Sequence, residues 1–235
     1  MVQTGPAVGV LGLFGLLTEL SLDGRLTLVG WLVGLGCAAL GYLTLSGALA
    51  RRAGFGLGPA DRVTLLRAVL VGGVAALAAG SGSRAVLVFL AVIALVLDAV
   101  DGQVARRTRT VSALGARFDL EVDAFLILVL SCYLARPIGG WVLAIGLARY
   151  LFVVAGWLLP ALREPSPPRY WCKVVAAIQG IVLTAAVILP VRLSELLLVV
   201  ALLLLAESFG RQAWWLLRHA QAHPVPVLLR AGSRL

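Results

Sequence analysis

The sequence predicts an all-α, polytopic membrane helix bundle of about eight apolar helices, a six-helix core preceded by an N-terminal helical hairpin. Three observations predict it. Of 235 residues, 61% are hydrophobic and 13% charged, against about 45–50% and 25% in soluble domains. The apolar residues gather into runs able to cross a hydrocarbon layer about 30 Å thick. Those runs lack the alternation of a barrel strand, so their backbone amides must be satisfied within helices.

The runs fall near 6–20, 26–49, 64–80, 85–105, 116–135, 139–160, 174–189 and 193–209. The first is short for a crossing. No basic residue lies in Met1–Pro6, as would precede the apolar region of a cleaved signal peptide, so this run is read as retained. Residues 1–50 then form a hairpin, and the Gly-rich, basic segment 51–60 a juxtamembrane linker. Asp61 can cap the third helix, which opens the core, 61–210. Pro165, Pro167 and Pro168 break the chain between the sixth and seventh runs. Residues 211–235 read as a basic cytoplasmic tail in which Trp214 and Trp215 lie where an interfacial anchor is expected. Cys37, Cys132 and Cys172 are too scattered for a disulfide framework or a zinc cluster and are read as packing residues.

The basic residues set the orientation. Fourteen of twenty lie near 50–62, 106–117, 163–173 and beyond 210, whereas the intervening loops hold only Arg25, Arg84, Arg136 and Arg192. By the positive-inside rule the richer side faces the cytoplasm, in a multi-pass cell (plasma) membrane protein. The pI of about 10.7 thus reflects topology and anionic headgroups. Nothing in the pattern suggests nucleic acid as a partner.

Five of the eleven acidic residues fall between 98 and 123, and a carboxylate in or beside a bilayer points to function. At about 100° per residue, Asp98, Asp101, Gly102 and Ala105 share one arc at the end of the fourth run, beside Arg106. Gly115, Asp119 and Asp123 follow at i, i+4, i+8 on the fifth. The short connection makes the two runs antiparallel neighbours, so the four aspartates can meet. Like charges that close require cations, and two divalent ions would balance four carboxylates. All-oxygen ligation favours Mg²⁺ or Mn²⁺. Gly102 and Ala105 leave room for substrate, and Arg106 adds a phosphate-seeking charge, a combination suited to diphosphate chemistry.

Other polar residues have plainer readings. Glu19, Glu195 and Glu207 suit packing hydrogen bonds or ion pairs, and Glu121 points away from Asp119 and Asp123 by helical phase. His219 and His223 sit i, i+4 but have no third ligand nearby. Arg149, inside an apolar run, either snorkels, pairs with an acidic residue of another helix or meets an anionic substrate.

Residues 98–123 read D-A-V-D-G-Q-V-A-R, eight residues, then G-A-R-F-D-L-E-V-D. This resembles the signature of the CDP-alcohol phosphatidyltransferase family, D-x2-D-G-x2-A-R-x8-G-x3-D-x3-D, with every fixed position filled. Upstream, Asp61-Arg62-Val63-Thr64-Leu65-Leu66-Arg67 is similar to the family's N-x2-T-x2-R, with Asp61 in place of Asn. The resemblance implies six core helices. It implies Asp98, Asp101, Asp119 and Asp123 as ligands of two divalent ions, Asp123 also as general base, and Thr64, Arg67, Gly102, Ala105, Arg106 and Gly115 around the CDP portion. It further implies transfer of a phosphatidyl group from CDP-diacylglycerol to a small polar hydroxyl acceptor, release of CMP, a place in phospholipid biosynthesis, and a homodimer.

The acceptor is less legible. Members acting on glycerol phosphate or inositol phosphate tend to place Lys or Arg directly after the last aspartate, where this chain has Ala124, and Phe125-Leu126-Ile127 departs from the Ser-Phe-Gly of the serine-using branch. Lys173 and Gln179 are similar to an element of some polyol-phosphate-using members, so Arg117, Arg149 and Lys173 are the candidate acceptor-binding residues, with a polyol phosphate as acceptor. The alternative is a non-enzymatic cation transporter or channel using the aspartates as an ion site. That needs polar residues continuing to the far face, whereas the fourth and fifth runs become uniformly apolar.

Overall fold

The computed structural model describes residues 4–24, 26–50, 59–80, 82–108, 113–158 and 170–222. Among these are eight α-helices and no strand: α1 Thr4–Leu22, α2 Leu28–Ala50, α3 Pro59–Ala79, α4 Arg84–Thr108, α5 Ala113–Ala135, α6 Leu143–Leu158, α7 Tyr170–Ala186 and α8 Val191–Ala222, with a 3₁₀ turn Gly140–Val142 before α6. Most of the linker, the Pro-rich segment 163–169 and the last residues of the tail lie outside the described residues.

Local chemistry explains the boundaries. Gly24, at φ 65°, takes the left-handed conformation that ends α1, its amide donating to the Ser21 carbonyl at 2.9 Å. Thr27 caps α2 by accepting the Gly30 amide on Oγ1 at 3.2 Å. Pro59 opens α3, where its missing N–H costs nothing. The Ser194 hydroxyl donates to the carbonyls of Ala186 at 3.1 Å and Leu189 at 3.4 Å, satisfying the end of α7 from α8.

Five helices contain a stretch long and apolar enough to cross a membrane: Gly5–Leu22, Leu28–Gly47, Asp61–Ala79, Gly140–Leu158 and Val191–Leu216; Trp171–Ala186 is a shorter apolar helix. α5 falls outside this set because Asp119, Glu121 and Asp123 interrupt it, while α4, with 25 residues, rises about 37 Å. α8 runs on to Ala222 as a helix of 32 residues. Its apolar stretch passes through Arg211 to Leu216; Arg211 pairs with Glu207 at i, i+4, and the Arg218 guanidinium stacks 4.4 Å from the Trp214 ring.

The helices alternate in direction, and α3 is central, packing against α1, α2, α4 and α5. α5 in turn packs on α6 and α7, and α7 on α8. The main core joins Val71, Val74 and Leu77 of α3, Leu87 and Leu90 of α4, Leu126 and Leu130 of α5, Leu183 of α7 and Leu198 of α8. A smaller core of Leu13, Leu17 and Ala76 seats the hairpin on α3. Outward faces are apolar too, as lipid requires: Leu11, Leu32, Phe89, Trp157 and Leu203 are all exposed.

Small residues let backbones approach where lipid offers no hydrophobic drive between helices. A Cβ on Gly146 of α6 would lie 2.8 Å from the Leu128 Cα and 3.0 Å from the Ser131 Cβ of α5. Since Leu128 meets it with backbone, Gly146→Ala should force α5 and α6 apart and lower stability by about 1–3 kcal/mol. Gly36 has nothing within 4 Å of the equivalent position. Gly36→Ala should be neutral or mildly stabilising, and reversible unfolding of both variants in detergent checks the contrast.

Candidate active site

Three helix ends meet at one end of the bundle: the start of α3, the end of α4 and the start of α5. At about 100° per residue, Ala94 and Asp98 share a face of α4, and Asp119 and Asp123 share a face of α5. α3 supplies Arg67, two turns in from Pro59, with a side chain only 1% exposed. A buried guanidinium must find acceptors. Its Nε donates to the Ala94 carbonyl at 3.2 Å. Nη1 lies 3.0 Å from an Asp98 carboxylate oxygen and also donates to Asp119, while Nη2 donates to Asp123. One planar fork therefore ties α4 and α5 to α3.

The carboxylates themselves are about one-third exposed, so the cluster opens outward while the arginine closes it from within. One ligand oxygen from each of Asp98, Asp119 and Asp123 can be chosen so that all lie within 4.8 Å of one another. Three carboxylates against one guanidinium leave a formal charge of −2 before Asp101 is counted. Oxygen donors that close, with that charge, suit a hard divalent cation such as Mg²⁺ or Mn²⁺, so the residues present fit the metal chemistry.

The remaining candidates are placed as follows. Thr64 is buried one turn before Arg67 on α3, and Gly115 is half-buried one turn before Asp119 on α5. The α4 backbone runs helically through Asp101, Gly102, Ala105 and Arg106, whose side chains lie outside the described residues, as do those of His219 and His223. Arg117 and Lys173 are exposed near the starts of α5 and α7. Arg149 of α6 is bonded to Glu121 of α5, on the side of α5 turned away from Asp119 and Asp123 by helical phase. Glu207 accepts from Trp171 Nε1 at 2.8 Å and pairs with Arg211 at 2.9 Å, locking α7 to α8 near the same end of the bundle.

Motif reading puts Arg67 around the CDP portion; the structure in addition brings its guanidinium against the aspartates. The signal was available: an arginine two turns inside an apolar helix needs counter-charges at its own depth, and the neighbouring aspartates are the acidic groups at that depth.

Compared with known proteins, residues 59–208 match the family model described as CDP-alcohol phosphatidyltransferase. No curated protein and no solved structure matches the chain.

Proposed function

This chain belongs to the CDP-alcohol phosphatidyltransferase family, and we propose that it moves the phosphatidyl group of CDP-diacylglycerol to a polyol phosphate such as glycerol phosphate or inositol phosphate, releasing CMP. The observation that carries this reading is the convergence of Asp98, Asp119 and Asp123 on Arg67 at adjoining helix ends. The reacting end faces the cytoplasm of a cell-membrane protein, a placement supported by the fourteen basic residues gathered on that side, and the working unit is a homodimer.

Asp98, Asp101, Asp119 and Asp123 would hold two Mg²⁺ or Mn²⁺ ions, which when bound neutralise diphosphate charge and stabilise the leaving group. Asp123 accepts the proton of the acceptor hydroxyl. The oxygen then forms a bond to the lipid-side phosphorus, the phosphorus–oxygen bond to the nucleotide breaks, and CMP departs with that electron pair. Thr64, Arg67, Gly102, Ala105, Arg106 and Gly115 orient the nucleotide diphosphate, so that the reaction becomes effectively intramolecular. Arg117 and Lys173 receive a phosphorylated acceptor, a reading supported by their exposure and positive charge at the same end of the bundle. Arg149, already bonded to Glu121, is the weakest of the three acceptor candidates.

A cation pathway is disfavoured by the interior beyond the cluster, where Val71, Val74, Leu77, Leu126 and Leu130 pack together and offer no ladder of ligands. Purified protein supplied with divalent ion, CDP-diacylglycerol and a panel of glycerol phosphate, inositol phosphate, inositol and serine should yield CMP and one new lipid from a phosphorylated polyol. A new lipid from serine or unphosphorylated inositol alone would reject the polyol-phosphate assignment.

A further inference from the structure

At the other end of the bundle, a cavity of about 520 Å³ opens where α3, α5 and α7 end and α4 and α8 begin. Following α4 from Asp98 back to Arg84, or α5 from Asp123 on to Arg136, covers about 20 Å of helix rise, so this cavity lies at the membrane face opposite the carboxylates. Arg84, Arg136, Tyr133 and Ser194 line it, with no carboxylate among its lining residues.

Two features set this apart from a chance surface hollow. Its face of the protein is poor in positive charge, yet two of the four arginines in that side's loops converge on this one space. Guanidinium groups brought together repel unless an anion joins them. Arg136 is held in place by one N–H, which Nη1 donates to the Ala78 carbonyl at 3.4 Å, and a guanidinium carries five. The N-termini of α4 and α8 open on the same space and add the positive ends of two long helices. The other walls, including Leu134, Ile138, Val187 and Leu189, are apolar.

Two guanidinium groups lining one cavity, two helix N-termini and apolar walls match a phosphate ester carried on a hydrocarbon body. The volume lies within the about 300–1,000 Å³ usual for ligand sites. We propose that this cavity binds the phosphate headgroup of a phospholipid from the leaflet opposite the carboxylate cluster, with Arg84 and Arg136 as its phosphate ligands. The site is independent of the transfer chemistry, since it requires only an anionic lipid.

Native mass spectrometry of the full chain in neutral detergent, titrated with phosphatidylglycerol, tests it against Arg84→Gln/Arg136→Gln and Arg84→Lys/Arg136→Lys. Folded charge-state distributions establish that each variant is intact, and Arg84→Gln alone, which leaves the Ala78 contact untouched, serves if the double variant does not fold. The wild type should retain one tightly held lipid per chain, the glutamine pair should bind it about tenfold or more weakly, and the lysine pair should keep most of the affinity. Equal retention by the wild type and the glutamine pair, or an equal loss in both double variants, would overturn the proposal. Inorganic phosphate binding at millimolar concentration with no tightly held lipid would assign the cavity to a soluble anion and overturn the lipid assignment.

Discussion

Asp123→Asn should abolish most CMP release, lowering turnover by about 10²–10⁴-fold, while leaving the protein folded. Asparagine has the same shape and still presents an oxygen to Arg67 Nη2, which in the wild type donates to the Asp123 carboxylate. It cannot take up a proton, and it removes one negative charge from a cluster that depends on charge to attract cations. The separation between activity and stability is the informative part. Single-turnover CMP release alongside a thermal unfolding midpoint measures both, and a variant that unfolds early would make Asp123 a structural residue first.

The second large effect belongs to Arg67. Replacing it with Ala leaves Asp98, Asp119 and Asp123 facing one another without their shared guanidinium, and breaking a buried charge network of this kind costs about 3–5 kcal/mol. It also frees the Ala94 carbonyl, which accepts from Nε in the wild type. Arg67→Ala should therefore melt well below the wild type in chelator. Because the exposed carboxylates then have only metal to neutralise them, its midpoint should climb more steeply with added Mn²⁺ than that of the wild type, following the stabilisation expected when a ligand binds the folded state alone. Arg67→Lys should fall between the two, since an ammonium keeps the charge but cannot span two carboxylates as a fork. A flat response to Mn²⁺ in Arg67→Ala would show that the arginine and the cation do not share the same partners.

Much of this architecture was legible in the sequence, and the reasons are physical. Each apolar run became a helix because lipid leaves the backbone no other partner, and the i, i+4 spacing of Asp119 and Asp123 put them on one face because 3.6 residues complete a turn. Helix ends were less legible. α8 continues eleven residues beyond Arg211, where the tail is read to begin, helped by pairs such as Glu207 with Arg211. α5 reads as a span of the same kind as the others, yet Asp119, Glu121 and Asp123 break its apolar length. Arg67 is the clearest case of information held in three dimensions. The i, i+3 relation to Thr64 in the motif suggested a shared nucleotide role, but only the docking of α3 between α4 and α5 brings its guanidinium to the aspartates. The pairing of Arg149 with Glu121 was one of three readings open to it, and it too depends on how α5 meets α6.

CMP release from CDP-diacylglycerol by chelator-stripped protein, followed as Mg²⁺ or Mn²⁺ is restored, tests most directly whether the gathered carboxylates run divalent-ion chemistry. Release should be at background without metal, rise to saturation as the ion is added, and require far more ion or fail altogether in Asp98→Asn and Asp119→Asn. Undiminished release in chelator, or the same metal dependence in those two variants as in the wild type, would contradict it.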